Sequence, residues 1–208
     1  MTITVHHLNN SRSQRVLWLL EELGLPYEIK RYERNAATML APPELRAVHP
    51  LGKSPVIEHD SRVVAETGAI VEYLVELADG RLGPPAHRDA ALRYRYWLHY
   101  AEGSMMPPLL LKLVLARVPI FGKRALKRIQ PMIDVHLDWV ESELASRPWF
   151  AGDAMTAADV MMSFPLEAAR ARGGLDASRP ASIAWLNTIH ARPAYQAALQ
   201  KGGAYAYA

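Results

Sequence analysis

Three short stretches of the chain carry residue types whose spacing suits recognition of a ligand with an amino-acid end and a peptide bond. In Ala65-Glu66-Thr67-Gly68-Ala69-Ile70 a carboxylate and a hydroxyl stand where a helix begins. Free backbone N–H groups and the positive end of the helix dipole make such a position an anion site. Glu66 can take an ammonium there while Thr67 and the backbone take a carboxylate. Ordinary capping by Thr67 and dipole matching by Glu66 explain the same pair, and for an isolated Glu-Thr that is the stronger reading.

The second stretch is Leu51-Gly52-Lys53-Ser54-Pro55-Val56-Ile57. A proline opening a buried apolar strand lacks an N–H donor and must sit at the start or edge of the strand. A plain loop-to-strand junction accounts for it. A cis Ser54–Pro55 bond, the minority form, would instead turn the N–H and C=O of Ser54 toward a ligand's peptide. The third stretch, Leu8-Asn9-Asn10-Ser11-Arg12-Ser13-Gln14, leads straight into a helical pattern. Asn10 and Ser11 are donors beside a helix N-terminus. Ser11 with Gln14 also fits a capping box, so a purely local role for Ser11 competes with a functional one.

Other chemistries are excluded or disfavoured. There is no cysteine, hence no disulfide scaffold, thiolate metal site or cysteine nucleophile, and any thiol must come from a ligand. None of the eight histidines shows an H-x-x-x-H or H-E-x-x-H spacing, and His6-His7 on a strand points to opposite faces, so no metal site is expected. Nothing in the sequence places either histidine against Ser11, so no Ser-His-Asp arrangement follows. A net charge of +3 is too slight to argue for nucleic acid. The start Met1-Thr2-Ile3-Thr4-Val5 lacks a signal pattern, and the apolar stretch Met105 to Phe121 is broken by Lys112, Arg117 and three prolines. A soluble, cytoplasmic protein without a membrane or nucleic-acid partner is therefore expected.

The elements that must position these residues fall into two halves. Residues 1–80 hold 8 Lys+Arg against 11 Asp+Glu, residues 81–208 hold 16 against 10, and Asp79-Gly80-Arg81-Leu82-Gly83-Pro84-Pro85 reads as a linker. In the first half Thr2–His7 reads as a strand, and Ser11–Leu23 as a helix with a stripe of Val16, Leu19, Leu20 and Leu23 ending at Gly24. Tyr27–Tyr32 follows as a strand, Glu44–Val48 as a short helix, Pro55–His59 and Arg62–Ala65 as paired strands. A helix with Ile70, Tyr73, Leu74 and Leu77 closes the half. The order β-α-β-α-β-β-α implies a small sheet flanked by helices.

The second half carries helical patterns only, from about His87 to Val114 with a kink at Pro107-Pro108, then Lys123–Ser146, Thr156–Arg170 and Ala181–Leu199, broken near Arg192-Pro193. Thr156-Ala157-Ala158-Asp159 is a strong capping signal, with Met155 and Val160 placed as a hydrophobic staple, and reads as purely structural. Lys123, Arg124, Lys127 and Arg128 make a basic helix face of the usual solvated kind.

Taken together, Asn10-Ser11-Arg12, Leu51 to Val56, Ala65 to Ile70 and Gly152-Asp153-Ala154-Met155-Thr156-Ala157-Ala158-Asp159-Val160 resemble, in their order and spacing, the glutathione S-transferase family along nearly the whole chain. Ser11 to Tyr27 is similar to a bacterial and fungal branch of it. The resemblance implies an α+β thioredoxin-like N-terminal domain, residues 1–80, followed by an all-α helical bundle domain, residues 87–208. It further implies a homodimer and glutathione as cosubstrate, with no metal.

By resemblance Glu66 and Thr67 hold the γ-glutamyl end, Ser54 beside Pro55 holds the cysteinyl peptide, and Lys53 meets the glycyl carboxylate. The electrophile would lie near Tyr100, Glu102, Met105 and Met106, between the domains. Many branches place Tyr, Ser or Cys against the thiol; aligning on Arg15-Val16 puts Asn10 there, with Ser11 one residue later. Either would act by stabilising the thiolate. The Ser-Ser-Cys pattern of the maleylacetoacetate isomerase branch is missing. The expected activity is conjugation of glutathione to hydrophobic electrophiles, with glutathione peroxidase activity beside it, in detoxification. The alternative is a non-catalytic binding or interaction module on the same fold.

Overall fold

In a computed structural model, residues 2–35, 37–38, 40–119 and 121–207 are described. Their packing separates two units, residues 2–83 with 190–206, and residues 84–189 with Tyr207.

The first unit is organised by β1 (Ile3–Leu8), which lies inside a four-stranded sheet of order β2-β1-β3-β4. β2 (Tyr27–Tyr32) runs parallel to β1, whereas β3 (Val56–His59) runs antiparallel to β1 and β4 (Arg62–Ala65) antiparallel to β3. The register puts Lys30, His6, Val56 and Ala65 in one row across the sheet. The end of β1, the start of β3 and the end of β4 therefore share one edge, and the segments 9–12, 52–55 and 66–67 converge there.

Between β1 and β2 runs α1 (Ser13–Leu23), closed by Gly24 at φ 62°, a left-handed conformation that glycine adopts without a Cβ penalty. Its predicted stripe is buried, but so are Leu17 and Trp18 on the other side. The cause is α9 (Pro193–Gly202), which packs against α1, with Tyr195 edge-on to Trp18 at 5.4 Å. Arg192 reaches Glu22 through two nitrogens at 2.5 and 2.8 Å, and Lys201 reaches Glu21 at 2.6 Å. Residues 190–206 thus pack with the first unit, an arrangement for which a division into 1–80 and 87–208 makes no provision. Within the unit, α2 (Pro43–Val48) and α3 (Thr67–Leu77) complete the order.

The second unit is helical throughout its described elements. α4 (Arg88–Tyr100) passes through a π-helical turn, Ala101–Met105, into α5 (Met106–Leu115). The interruption thus precedes the expected kink, and Pro107 and Pro108, which have no N–H to give to the preceding turn, follow it in the first turn of α5. α6 (Phe121–Ser146), α7 (Ala157–Ala168) and α8 (Pro180–His190) follow, and α7 ends in a second π-helical turn, Ala169–Gly173.

All of α7 is buried. Asp159 accepts the Thr156 N–H at 2.8 Å, the Thr156 hydroxyl at 3.1 Å and the Phe150 N–H at 3.0 Å, which ties the loop before α7 to its first turn. Burial nevertheless pushes its carboxyl up to about 6. Among the described residues no helix is long and apolar enough to cross a membrane.

Candidate active site

The β1–α1 loop supplies Asn10 and Ser11. Asn10 stands at φ 50°, and its Oδ1 accepts the N–H of Ala206 at 2.8 Å. Ser11 is buried. Its expected capping box with Gln14 does not form, because the residue before α1 is Arg12 in helical conformation and Ser11 stands one position too far out. Ser11 Oγ instead accepts the N–H of Ser13 at 3.2 Å. Both amide atoms of Gln14 are buried without a hydrogen-bond partner among the described residues.

Ser11 Oγ also lies 2.7 Å from Ser13 Oγ, which lies 2.8 Å from Nδ1 of His7. His6, on the opposite face of β1, bonds the Tyr32 hydroxyl through its own Nδ1 at 2.8 Å. The two rings do point apart, as adjacent strand residues must. Burial, with Arg31 nearby, pushes the His7 ring down to about 4, so it is neutral at neutral pH.

The segment before β3 brings Ser54 to the same edge. Its hydroxyl donates to the His6 carbonyl at 2.8 Å and lies 3.5 Å from Ser11 Oγ. The Ser54–Pro55 bond is cis. Pro55 is buried and Lys53 exposed. Gly52 turns the segment at φ 55°, and a Cβ there would meet Arg46 Cγ at 2.5 Å.

The β4–α3 junction supplies Glu66 and Thr67. Thr67 is not the cap: it is the first residue of α3, buried, and Glu66 precedes it with no side-chain capping bond. The first-turn N–H groups of α3 are thus not taken by a side-chain cap, which keeps the anion site open. Glu66 is exposed and holds φ 70°, ψ 124°. For a residue other than glycine that backbone costs about 1–3 kcal/mol, and such costs gather at ligand sites.

The four residues expected at the electrophile lie in the helical unit. Tyr100 ends α4, its hydroxyl 2.5 Å from Nδ1 of His136, its ring stacked on Tyr96. Burial pushes its phenol well above the usual range, so it is a neutral donor. Glu102 stands half-buried in the π-helical turn, while Met105 and Met106 are buried. Among the described residues no cluster of three His, Asp or Glu side chains suits a metal ion.

The residues that sequence reasoning did not assign to the site are His7 and Ser13. In sequence His7 finds no support as a partner of Ser11 or as a metal ligand, and Ser13 belongs only to the loop that leads into the first helix. The usable signal was the run Ser11-x-Ser13 after a strand histidine, which places two hydroxyls against one ring.

A mixed sheet of this order and register, with its helices, is a thioredoxin-like domain, here accompanied by a helical one. Comparison with known proteins agrees. The profile of the glutathione S-transferase N-terminal domain matches residues 11–77, and that of the C-terminal domain residues 124–200. Glutathione S-transferase 3 of Schizosaccharomyces pombe is 37% identical, over 96% of this chain and 87% of its own. Glutathione S-transferase 1 of Saccharomyces cerevisiae is 34% identical, over 97% and 96%. The crystal structure of a glutathione S-transferase from Actinobacillus pleuropneumoniae superposes with TM-score 0.86 at 37% identity, covering 97% of this chain and 93% of that one. The chain belongs to the glutathione S-transferase family.

Proposed function

We infer that this glutathione transferase binds glutathione at the sheet edge of its first unit and adds the thiolate to hydrophobic electrophiles. The observation that supports the reading most is the convergence, at one edge, of Glu66 and Thr67, Ser54, and Asn10 with Ser11. Glu66 faces the ammonium of the γ-glutamyl end, and the start of α3 with Thr67 takes its carboxylate. Ser54 next to Pro55 pairs with the cysteinyl peptide, and Lys53 meets the glycyl carboxylate. The thiol then lies against Asn10 and Ser11. A free thiol ionises near 8.5, so donors beside a helix start have to lower that value before much thiolate exists at neutral pH.

The electrophile is assigned to Tyr100 and Glu102, with Met105 and Met106 as soft packing. Reduction of peroxides by the same thiolate, a role in detoxification and a cytoplasmic location belong to the same reading. Exposed Met132, Val135 and Trp139 on α6 support a homodimer, which sedimentation tests directly.

Steady-state turnover of chlorinated aromatics, isothiocyanates and peroxides with glutathione tests the reading. Turnover on at least one class is expected. Tight glutathione binding in calorimetry with no turnover on any of them would show a binding module instead.

A further inference from the structure

The helical half of the chain keeps its excess charge in one place. Residues 81–208 hold 16 Lys+Arg against 10 Asp+Glu, and the stretch from Gly103 to Ile133 contains six of those cations and none of the carboxylates. The remainder is balanced, 10 against 10. That stretch includes α5, the turn after it and the first half of α6. The two helices pack side by side, and Lys112 donates to Gln130 at 2.5 Å. The turn is itself hydrogen-bonded, with Val118 N–H on the Leu115 carbonyl at 3.0 Å and Gly122 N–H on the Val118 carbonyl at 3.2 Å.

Two kinds of side chain cover this tip. Leu110, Leu111, Val114 and Val118 follow one another along α5 and into the turn, each between 41% and 53% exposed. Lys123, Arg124, Lys127 and Arg128, one helical turn apart in pairs, line an exposed face of α6, and Arg117 is exposed in the turn. Elsewhere in the unit exposed or half-buried arginines have acidic partners: Arg93 and Arg147 meet Glu143, and Arg179 meets Asp134 and Asp138. Among the described residues no carboxylate pairs with the five cations of the tip.

Exposed aliphatic side chains beside unpaired cations, with no carboxylate between them, make the composition of an element that lies in the boundary of an anionic bilayer. Lys112, Arg117 and the prolines interrupt the apolar run too often for a span, but a surface element tolerates them. A second copy of the tip would set like charge against like. A nucleic acid would engage the cations but would leave four aliphatic side chains, which have no stacking face, without a task. From Lys123 to Trp139 is about 24 Å along α6, so the tip is also separate from the face assigned to the homodimer.

We propose that the α5–α6 tip is a docking surface for an anionic lipid bilayer. Leu110, Leu111, Val114 and Val118 enter the boundary between headgroups and acyl chains, while Arg117 and the four cations of α6 hold anionic headgroups. Attachment is peripheral and reversible, strengthened by anionic lipid and weakened by salt. Such docking departs from the sequence expectation of a merely solvated basic face and no membrane partner, and it draws nothing from the glutathione assignment.

Co-sedimentation of the full chain with lipid vesicles tests the proposal. At low salt, binding to phosphatidylcholine vesicles carrying about 30% phosphatidylserine should exceed binding to phosphatidylcholine alone roughly tenfold, and it should fall roughly tenfold at high salt. The variant with Lys123→Gln, Arg124→Gln, Lys127→Gln and Arg128→Gln should bind about a hundredfold more weakly. Val114→Ser with Val118→Ser keeps every charge and should weaken binding about tenfold.

Equal binding to the two kinds of vesicle, or none to either, overturns the proposal. So does either variant binding the anionic vesicles as the wild type does. Capture of a single-stranded RNA oligonucleotide without vesicle binding overturns it in favour of a nucleic-acid surface. Unfolding midpoints show whether the variants fold; if the valine pair does not, Leu111→Ser on the same exposed row takes its place.

Discussion

The amide oxygen of Asn10 accepts the backbone N–H of Ala206 at 2.8 Å, so a side chain from the first loop is oriented by a segment 196 residues away. With its oxygen held, the amide presents its nitrogen elsewhere, as a donor that never competes for a proton at neutral pH.

Asn10→Asp separates the two ends of that amide. The carboxylate keeps an acceptor for Ala206 but removes the donor and adds negative charge. The thiol pKa of bound glutathione should rise by at least one unit, the equivalent of about 1.4 kcal/mol. Asn10→Ala should raise it less. Thiolate absorbance against pH checks both, and an unmoved pKa in the two variants would remove Asn10 from the thiol site.

Replacing Glu66 by Gln keeps the shape of the side chain and deletes its charge. Glutathione affinity should weaken by about 1–3 kcal/mol because the ammonium loses its counter-charge. Glu66 is exposed and makes no side-chain cap, so the unfolding midpoint should stay put. Calorimetric dissociation constants equal to the wild type's would count against the assignment.

Thr156 serves the fold of the helical unit. Thr156→Ala removes the 3.1 Å bond to Asp159 and should cost about 0.5–2 kcal/mol in urea unfolding, with glutathione affinity per folded molecule unchanged. Asp159 itself ionises higher in the fold than unfolded, about 6 against 3.8. Its contribution is therefore complete below pH 3.8 and lost as pH rises through 6. The stability gap between wild type and Asp159→Asn should widen in favour of the wild type, by about 2 kcal/mol, on acidification from pH 7 to 4. A gap that stays flat would show that Asp159 does not titrate there.

His7 works with the opposite sign. Its ring ionises lower in the fold, about 4 against 6.5, so its contribution is complete above pH 6.5 and lost as pH falls through 4. Compared with His7→Gln, the wild type should lose about 3 kcal/mol of relative stability on going from pH 7 to 4. Parallel stability curves for the two proteins would contradict a buried neutral ring.

The sheet unit was largely legible because its signals are periodic or local. Val16, Leu19, Leu20 and Leu23 repeat at helical spacing, and all four are buried. Glu66-Thr67 and Ser54-Pro55 stood out as polar residues at element starts, and the register brings them to one edge. What periodicity does not report is partners. Leu17 and Trp18 lie off the stripe and are buried because α9 covers them, a pairing between segments some 175 residues apart. The contact of Ser13 with His7 depends on which way a strand side chain points and where a helix turns. The Ser11–Gln14 spacing was a genuine capping pattern, defeated by a helix start displaced toward Ser13.

The packing of α9 on α1 also sets an order of assembly. Chains emerge from the ribosome N-terminus first, and domains generally fold as units during synthesis. Here the residues that cover Trp18 are made only after the whole stretch 84–189. The sheet unit therefore waits, with one apolar face of α1 uncovered, while the helical unit already has all its residues but Tyr207. Closing so long a loop is slow relative to local contacts. A fragment cut after Gly83 would carry that exposed face permanently, so the sheet unit of this chain is not an autonomous module that expression alone can separate.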